Sequence, residues 1–108
     1  MNIITSHVRI DPAELREHIR HNLDRMFWQQ RNTEIHFKIG GEGNIIEISQ
    51  PELYEGILFK IAINGTELDV TRSEHYTDDV NSLTVESILN ELFKDLAGIH
   101  GTDLLQEG

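Results

Sequence analysis

The sequence predicts an α+β domain in which an antiparallel four-stranded sheet, made of two hairpins, packs against two α-helices in a two-layer sandwich. Two long stretches carry apolar side chains three or four residues apart, which is the spacing of one helix face. Between them, apolar and polar residues alternate around glycine-containing turns, as in half-buried hairpins. One layer of strands against one layer of helices buries all of these apolar faces together. Near the N-terminus, Ile3-Ile4 and then Val8-Arg9-Ile10 form a candidate fifth strand.

The first helix is predicted at residues 12–30. Asp11 can accept hydrogen bonds from the amides of the first turn. Pro12 suits the first helical position, because the N–H that it lacks would have no partner there. The apolar stripe of this helix consists of Leu15, Ile19, Leu23, Met26 and Phe27.

The first hairpin is predicted on the two sides of the glycine-rich turn at residues 40–44. We expect Ile39 to lie opposite Ile46, which places Lys38 opposite Glu47 on the other face of the sheet. The hydrophobic register and the charge register therefore agree for this pairing.

The second hairpin is predicted from Asn64-Gly65, the favoured pair of residues for a type I′ loop. This loop places Ile61 opposite Leu68, with both side chains on the buried face. Pro51 separates the two hairpins, because proline cannot donate a hydrogen bond to a sheet ladder.

The second helix is predicted to begin with Thr84 as its N-cap, after a polar loop at residues 72–81. Gly98 or Gly101 is expected to end it. Its wide apolar stripe consists of Val85, Ile88, Leu89, Leu92, Leu96 and Ile99.

These elements form one predicted domain, residues 1–101, and residues 102–108 are expected to be a flexible tail. A chain of 108 residues has room for one hydrophobic core. The chain has no cysteine, which excludes disulfides and cysteine-ligated zinc or iron–sulfur sites. No secretory signal pattern is present at the N-terminus, so we expect a cytoplasmic protein.

Charge is spread unevenly along the chain. Residues 1–38 hold five acidic and six basic residues and carry a net charge of +1, whereas residues 39–108 hold fourteen acidic and three basic residues and carry −11. A negative field of this kind favours cationic partners and repels nucleic acid and anionic membranes. The sequence therefore predicts a basic protein partner, with no direct binding of nucleic acid or membrane.

The function that follows is that of a small acidic, non-catalytic binding protein. Spaced carboxylates can stand in for phosphates, so inhibitors and immunity-type proteins, including phage anti-defence proteins, use them to cover a basic groove of a nuclease or another nucleic-acid-acting protein. A charged surface can also serve solubility alone. The predicted partner-binding residues are Glu67, Asp69, Glu74, Asp78, Asp79 and Trp28.

A homodimeric structural or assembly subunit is the first alternative. It would use an open sheet edge or Trp28, which falls on the polar side of the first helix. The indole could instead pack against the edge of the sheet.

A small metal-dependent enzyme that uses His75, Asp78 and Asp79 is the second alternative. Histidine beside carboxylates can serve acid–base chemistry or hold a metal ion. His18 and His21, three residues apart on the first helix, are the other candidate ligands. The leading prediction nevertheless contains no catalytic residue, no metal and no cofactor, because no strong catalytic motif is present.

Overall fold

The computed structural model describes residues 2–6, 9–99 and 104–107. Its strands form one antiparallel sheet in the order β2-β3-β4-β5-β1-β6, and the predicted α+β class is confirmed. In chain order the elements are β1 (Asn2–Ser6), α1 (Pro12–Arg31), β2 (Lys38–Gly40), β3 (Ile45–Ser49), β4 (Ile57–Asn64), β5 (Glu67–Arg72), α2 (Val80–Ile99) and β6 (Leu104–Glu107).

Of the candidate fifth strand, Ile3 and Ile4 lie in β1, whereas Arg9 and Ile10 are not in a strand and Val8 lies outside the described residues. A sixth strand follows α2. Leu104–Glu107, within the expected flexible tail of residues 102–108, forms β6 and pairs with β1. Without β6, strand β1 would be the edge of the sheet and would leave a row of backbone groups unpaired. The other residues of that tail, 102, 103 and 108, and the expected domain boundary at residue 101 lie outside the described residues.

The core lies between the two helices and one face of the sheet. The stripe of α1 is buried as predicted, with Met26 only partly covered. Asp11 caps this helix through a 3.0 Å hydrogen bond from the N–H of Ala13, and Asn32 ends it at φ 52°. On α2 the buried side chains are Val85, Ile88, Leu89, Leu92, Phe93 and Leu96.

The register of the first hairpin differs by two residues from the prediction. Ile39 pairs with Ile48 instead of Ile46. The connection between β2 and β3 is longer than predicted. It contains Gly41 at φ 103° and then a separate turn at residues 42–45, in which the N–H of Ile45 donates to the carbonyl of Glu42 at 3.0 Å. A shift of two residues leaves each side chain on its predicted face, so the core is unaffected.

The second hairpin turns one residue later than predicted, at Gly65-Thr66. Asn64 stays in the strand and pairs with Glu67. Its Oδ1 accepts a hydrogen bond from Asn44 Nδ2 at 3.3 Å, which holds the side chain outside the turn. Gly65, at φ 64°, occupies the first loop position, where a type II′ turn requires glycine.

The second helix begins before the predicted cap, Thr84. The N–H of Ser82 donates to the Asp79 carboxylate at 3.0 Å, and the N–H of Leu83 donates to the Asp79 carbonyl at 3.0 Å. Asp79 is therefore the N-cap, and Thr84 lies inside the helix, where its hydroxyl donates to the carbonyl of Val80. Aspartate and threonine are both good caps, so local sequence did not decide between them.

Candidate functional site: the acidic end

Two loops meet at one end of the sheet. Residues 50–56 connect β3 to β4, and residues 73–79 connect β5 to α2. The rings of Tyr54 and Tyr76 contact each other edge-to-face, with centroids 4.7 Å apart. The N–H of Glu55 donates to the Tyr76 hydroxyl at 2.9 Å. These contacts join the two loops into one unit.

The buried side chain of Tyr54 also joins the loops to the start of α2. Its hydroxyl donates to Asp79 Oδ2 at 2.9 Å and accepts a hydrogen bond from Asn81 Nδ2 at 3.0 Å. The same Asp79 oxygen accepts the capping bond from Ser82. The sequence analysis predicted Asp79 as a partner-binding residue or as a residue of a metal-dependent enzyme. In the structure its carboxylate stabilises the fold through these hydrogen bonds.

Four exposed carboxylates project from the joined loops. Two of them, Glu74 and Asp78, belong to the predicted binding set, whereas the sequence analysis missed the other two because a different loop carries them. Within the described part of the chain, none of the four forms an ion pair. We call this surface the acidic end; its carboxylates are Glu52, Glu55, Glu74 and Asp78.

Exposed apolar side chains gather at the same end. Leu53 is 55% exposed and precedes Tyr54, and Val80 is 51% exposed and follows Asp79. Leu83 lies one helical turn after Val80, on the same side of α2. Among the described residues, the exposed large hydrophobic side chains are Trp28, Leu53, Ile57, Val80 and Leu83, of which all but Trp28 lie on or beside the two loops.

The remaining predicted acidic residues lie elsewhere. Glu67 and Asp69 alternate on β5 and point to the face of the sheet opposite the helices. Asp69 stands between Ala62 of β4 and Ile3 of β1, and its Oδ1 is shielded from solvent without a hydrogen-bond partner among the described residues. At least about 10 Å of strand separates Asp69 from the acidic end, so the structure divides the predicted carboxylates between two surfaces.

Trp28 lies apart from both acidic surfaces, near the end of α1. Its side chain is 53% exposed, and it contributes to a pocket of about 420 Å³ that also contains Glu34. A second groove, of about 590 Å³, is lined by residues 34–38 and also by Glu52 and Leu53, so the two depressions share Glu34, Ile35 and His36.

The candidate metal-binding histidines have separate surroundings. His18 Nε2 lies 3.3 Å from Asp95 Oδ2 on α2, whereas His21 Nε2 lies 3.6 Å from Glu17 on its own helix. His75 is exposed in a short 3-10 helix between β5 and α2. No group of three or more histidine or acidic side chains is placed to hold a metal ion, as far as the described residues extend.

Side chains of α1 engage the backbone at the β2 edge of the sheet. Arg20 donates to the carbonyl of Ile39 at 3.2 Å, and Asp24 accepts a hydrogen bond from the N–H of Phe37 at 3.0 Å. An added strand would need backbone groups of this kind. This edge is therefore a poor site for the strand pairing that a homodimer through the sheet would need.

Tyr54 gives the acidic end a measurable pH dependence. Burial raises the pKa of its hydroxyl above 10; the Asp79 carboxylate adds to the rise, and the hydrogen bond from Asn81 opposes it. The unfolded chain therefore loses this proton first, so the contribution of Tyr54 to stability is complete below about pH 10 and declines as the pH rises further.

We expect Tyr54→Phe to lower the free energy of unfolding by about 1 kcal/mol at neutral pH, because two hydrogen bonds are lost. The difference from wild type should shrink above about pH 10. Urea unfolding of wild type and Tyr54→Phe at several pH values measures this difference in stability. A difference that grows at alkaline pH contradicts a raised pKa of Tyr54 in the folded protein.

No family model, curated protein or solved structure matches this chain. No helix within the described residues combines the length and the apolar character needed to cross a membrane.

Proposed function

We propose that this protein is a non-catalytic binding protein that attaches to a basic surface of a protein partner through its acidic end. The observation that carries the proposal is a coincidence of two features at the same end of the sheet. Carboxylates without ion pairs to described residues lie beside most of the exposed large apolar side chains. Protein interfaces commonly combine an apolar centre with a polar rim of this kind.

The two features contribute differently to binding. Burial of Leu53, Val80 and Leu83 against a partner would supply affinity, at roughly 25 cal/mol for each Å² of apolar surface removed from water. The carboxylates would orient the partner and increase its association rate, and the net charge of −10 extends that attraction over a longer range.

The loops are ordered before any partner arrives. The ring contact of Tyr54 with Tyr76, and the hydrogen bonds to Asp79 and Glu55, fix the backbone that carries the acidic residues. A preordered surface loses less conformational entropy on binding than a flexible one. This supports a binding role for the acidic end over that of a merely solubilising surface.

We extend the proposal to a cytoplasmic partner that acts on nucleic acid, such as a nuclease. The substrate groove of such a protein is basic, and the spaced carboxylates would occupy it in place of phosphates. The protein would then be an inhibitor or an immunity-type protein.

A capture experiment with matched variants tests the proposal. The end variant carries Glu55→Gln, Glu74→Gln and Asp78→Asn, and the control variant loses the same charge at three exposed residues elsewhere. Each is immobilised and exposed to lysate at low and at high salt. The substitutions of the control variant are Glu17→Gln, Glu42→Gln and Glu91→Gln.

We expect wild type and the control variant to retain the same basic protein at low salt, and the end variant to retain about tenfold less. Equal retention by the two variants, or no basic protein with any of them, contradicts the proposal. The activity of the captured partner on nucleic acid, with and without added protein, tests the inhibitor role separately.

The homodimer and the metal-dependent enzyme remain predictions. Light scattering at micromolar concentration tests the homodimer, and calorimetric titration with zinc, calcium and magnesium tests the enzyme. A monomer that binds none of these metals would remove both alternatives.

A further inference from the structure

The pocket beside Trp28 has a composition suited to one particular side chain. It has a volume of about 420 Å³ and is lined by Asp24, Arg25, Trp28, Glu34, Ile35 and His36. We infer that it binds an arginine side chain of the protein partner, in addition to the contacts at the acidic end. This inference rests on the proposed function, because it takes the partner to be basic.

The indole supplies a flat surface for the ligand. Trp28 is 53% exposed, and no aromatic ring or cation of the described residues stacks on it. A guanidinium group stacks on an indole face through cation–π attraction and loses little hydration in doing so. A half-exposed tryptophan in a pocket therefore favours a planar cation.

Glu34 is placed to bind the edge of that cation. Its side chain is 75% exposed, and its only described ion pair is with His36, whose Nε2 lies 3.3 Å from Glu34 Oε1. Because the side chain of Glu34 is mostly exposed, it can turn and present both oxygens, so the carboxylate can accept two parallel hydrogen bonds from a guanidinium. Lysine, a compact cation, cannot form this bidentate contact.

Asp24 fixes a second negative charge in the pocket. Its Oδ1 accepts a hydrogen bond from the N–H of Phe37 at 3.0 Å, and its Oδ2 lies 3.3 Å from His36 Nδ1. The carboxylate is thus held in place by the backbone and does not need to be reoriented by the ligand. It adds attraction for a cation without an additional ordering cost.

The cation that belongs to the pocket is already engaged. Arg25 donates to Asn22 Oδ1 at 2.6 Å and to Gln29 Oε1 at 3.4 Å, so its guanidinium lies along α1 and binds neutral side chains. The pocket therefore contains two carboxylates, one guanidinium that is held elsewhere, and the His36 ring between the carboxylates, and a second guanidinium is attracted to the carboxylates.

The pocket also shares residues with a groove that reaches the proposed interface. That groove is lined by Glu34, Ile35 and His36, as the pocket is, and also by Glu52 and Leu53 at the acidic end. An extended segment of the partner could follow this groove while one arginine enters the pocket beside Trp28.

The only tryptophan of the chain makes the test direct, because fluorescence excited selectively in tryptophan, beyond the absorption of tyrosine, reports on Trp28 alone. Wild-type protein is titrated with three blocked peptides that differ at one residue. That residue is arginine, lysine or citrulline, the last being a neutral analogue of arginine. We expect a saturable change in emission with the arginine peptide and an affinity at least about fivefold weaker with the other two.

Two variants complete the test. Glu34→Gln should weaken binding of the arginine peptide about tenfold, because one charge-assisted contact is lost, and Glu91→Gln on α2 should leave it unchanged. Equal affinities for the arginine and lysine peptides, equal binding by Glu34→Gln and wild type, or no saturable change each overturn the inference.

The outcome is separable from that of the proposed function. The end variant keeps the whole pocket and should bind the arginine peptide like wild type. Loss of partner capture by the end variant, together with a negative peptide titration, overturns the arginine site and leaves the acidic interface supported. A positive titration without capture of any basic protein supports the arginine site and contradicts the acidic interface.

Discussion

Gly41→Ala is expected to lower the free energy of unfolding by about 3 kcal/mol, the largest effect of any substitution considered for this protein. Gly41 has φ 103°, a conformation that alanine rarely adopts. A Cβ at this position would overlap the carbonyl oxygen of Ile45 and lie 2.8 Å from its carbonyl carbon. Relief requires movement of the backbone at the start of β3.

That movement is opposed by a contact from α1. One Nη atom of Arg16 donates to the carbonyls of Gly43 and Ile45, at 3.0 Å each, and so fixes the oxygen that an alanine at position 41 would meet. The turn, the helix and the strand would have to move together. Urea unfolding monitored by circular dichroism measures the loss.

Gly43→Ala is the matched control. Gly43 also has a positive φ, 58°, but nothing lies within 4 Å of an added Cβ. We expect a loss of about 1 kcal/mol there, from the left-handed backbone alone. If Gly41→Ala and Gly43→Ala lower the free energy of unfolding by the same amount, the clash with Ile45 is not the reason that position 41 requires glycine.

The elements that sequence predicted best are those whose signals are local. The cap at Asp11, the proline after it and the stripe from Leu15 to Phe27 all lie within one helix, and each acts on the backbone near it. The predicted start of α2 was wrong because Asp79 and Thr84 can both cap a helix, and the prediction chose Thr84. The decision comes from Tyr54, which is distant in sequence and donates to Asp79.

Long-range contacts also account for the wrong register of the second hairpin and for the composition of the site. Asn44 holds the side chain of Asn64 and moves the second turn by one residue. The contact between Tyr54 and Tyr76 brings Glu55 beside the loop of Glu74, although nothing in the local sequence of either loop indicates this. Charge counting therefore predicted an acidic protein but could not predict which carboxylates share a surface.

Asp79→Ala is expected to lower the free energy of unfolding by about 2 kcal/mol, which corresponds to about 10 °C in the midpoint of thermal unfolding for a domain of this size. The substitution removes the N-cap of α2 and the acceptor of the Tyr54 hydroxyl together. Asp78→Ala, one residue earlier and exposed, should change stability by less than about 0.5 kcal/mol. Thermal unfolding of the two variants measures the contrast.

Asp79→Asn separates the structural role of this residue from a role in binding. Asparagine caps helices as well as aspartate does, and its carbonyl oxygen can accept the hydrogen bond from Tyr54, so stability should stay within about 1 kcal/mol of wild type. The negative charge is nevertheless lost. If a partner contacts Asp79 directly, Asp79→Asn will reduce capture as much as Asp78→Asn does. If Asp79 instead supports the loops that carry the binding carboxylates, Asp79→Asn will retain the partner while Asp78→Asn loses part of it, and the position of the partner on the acidic end follows from that difference.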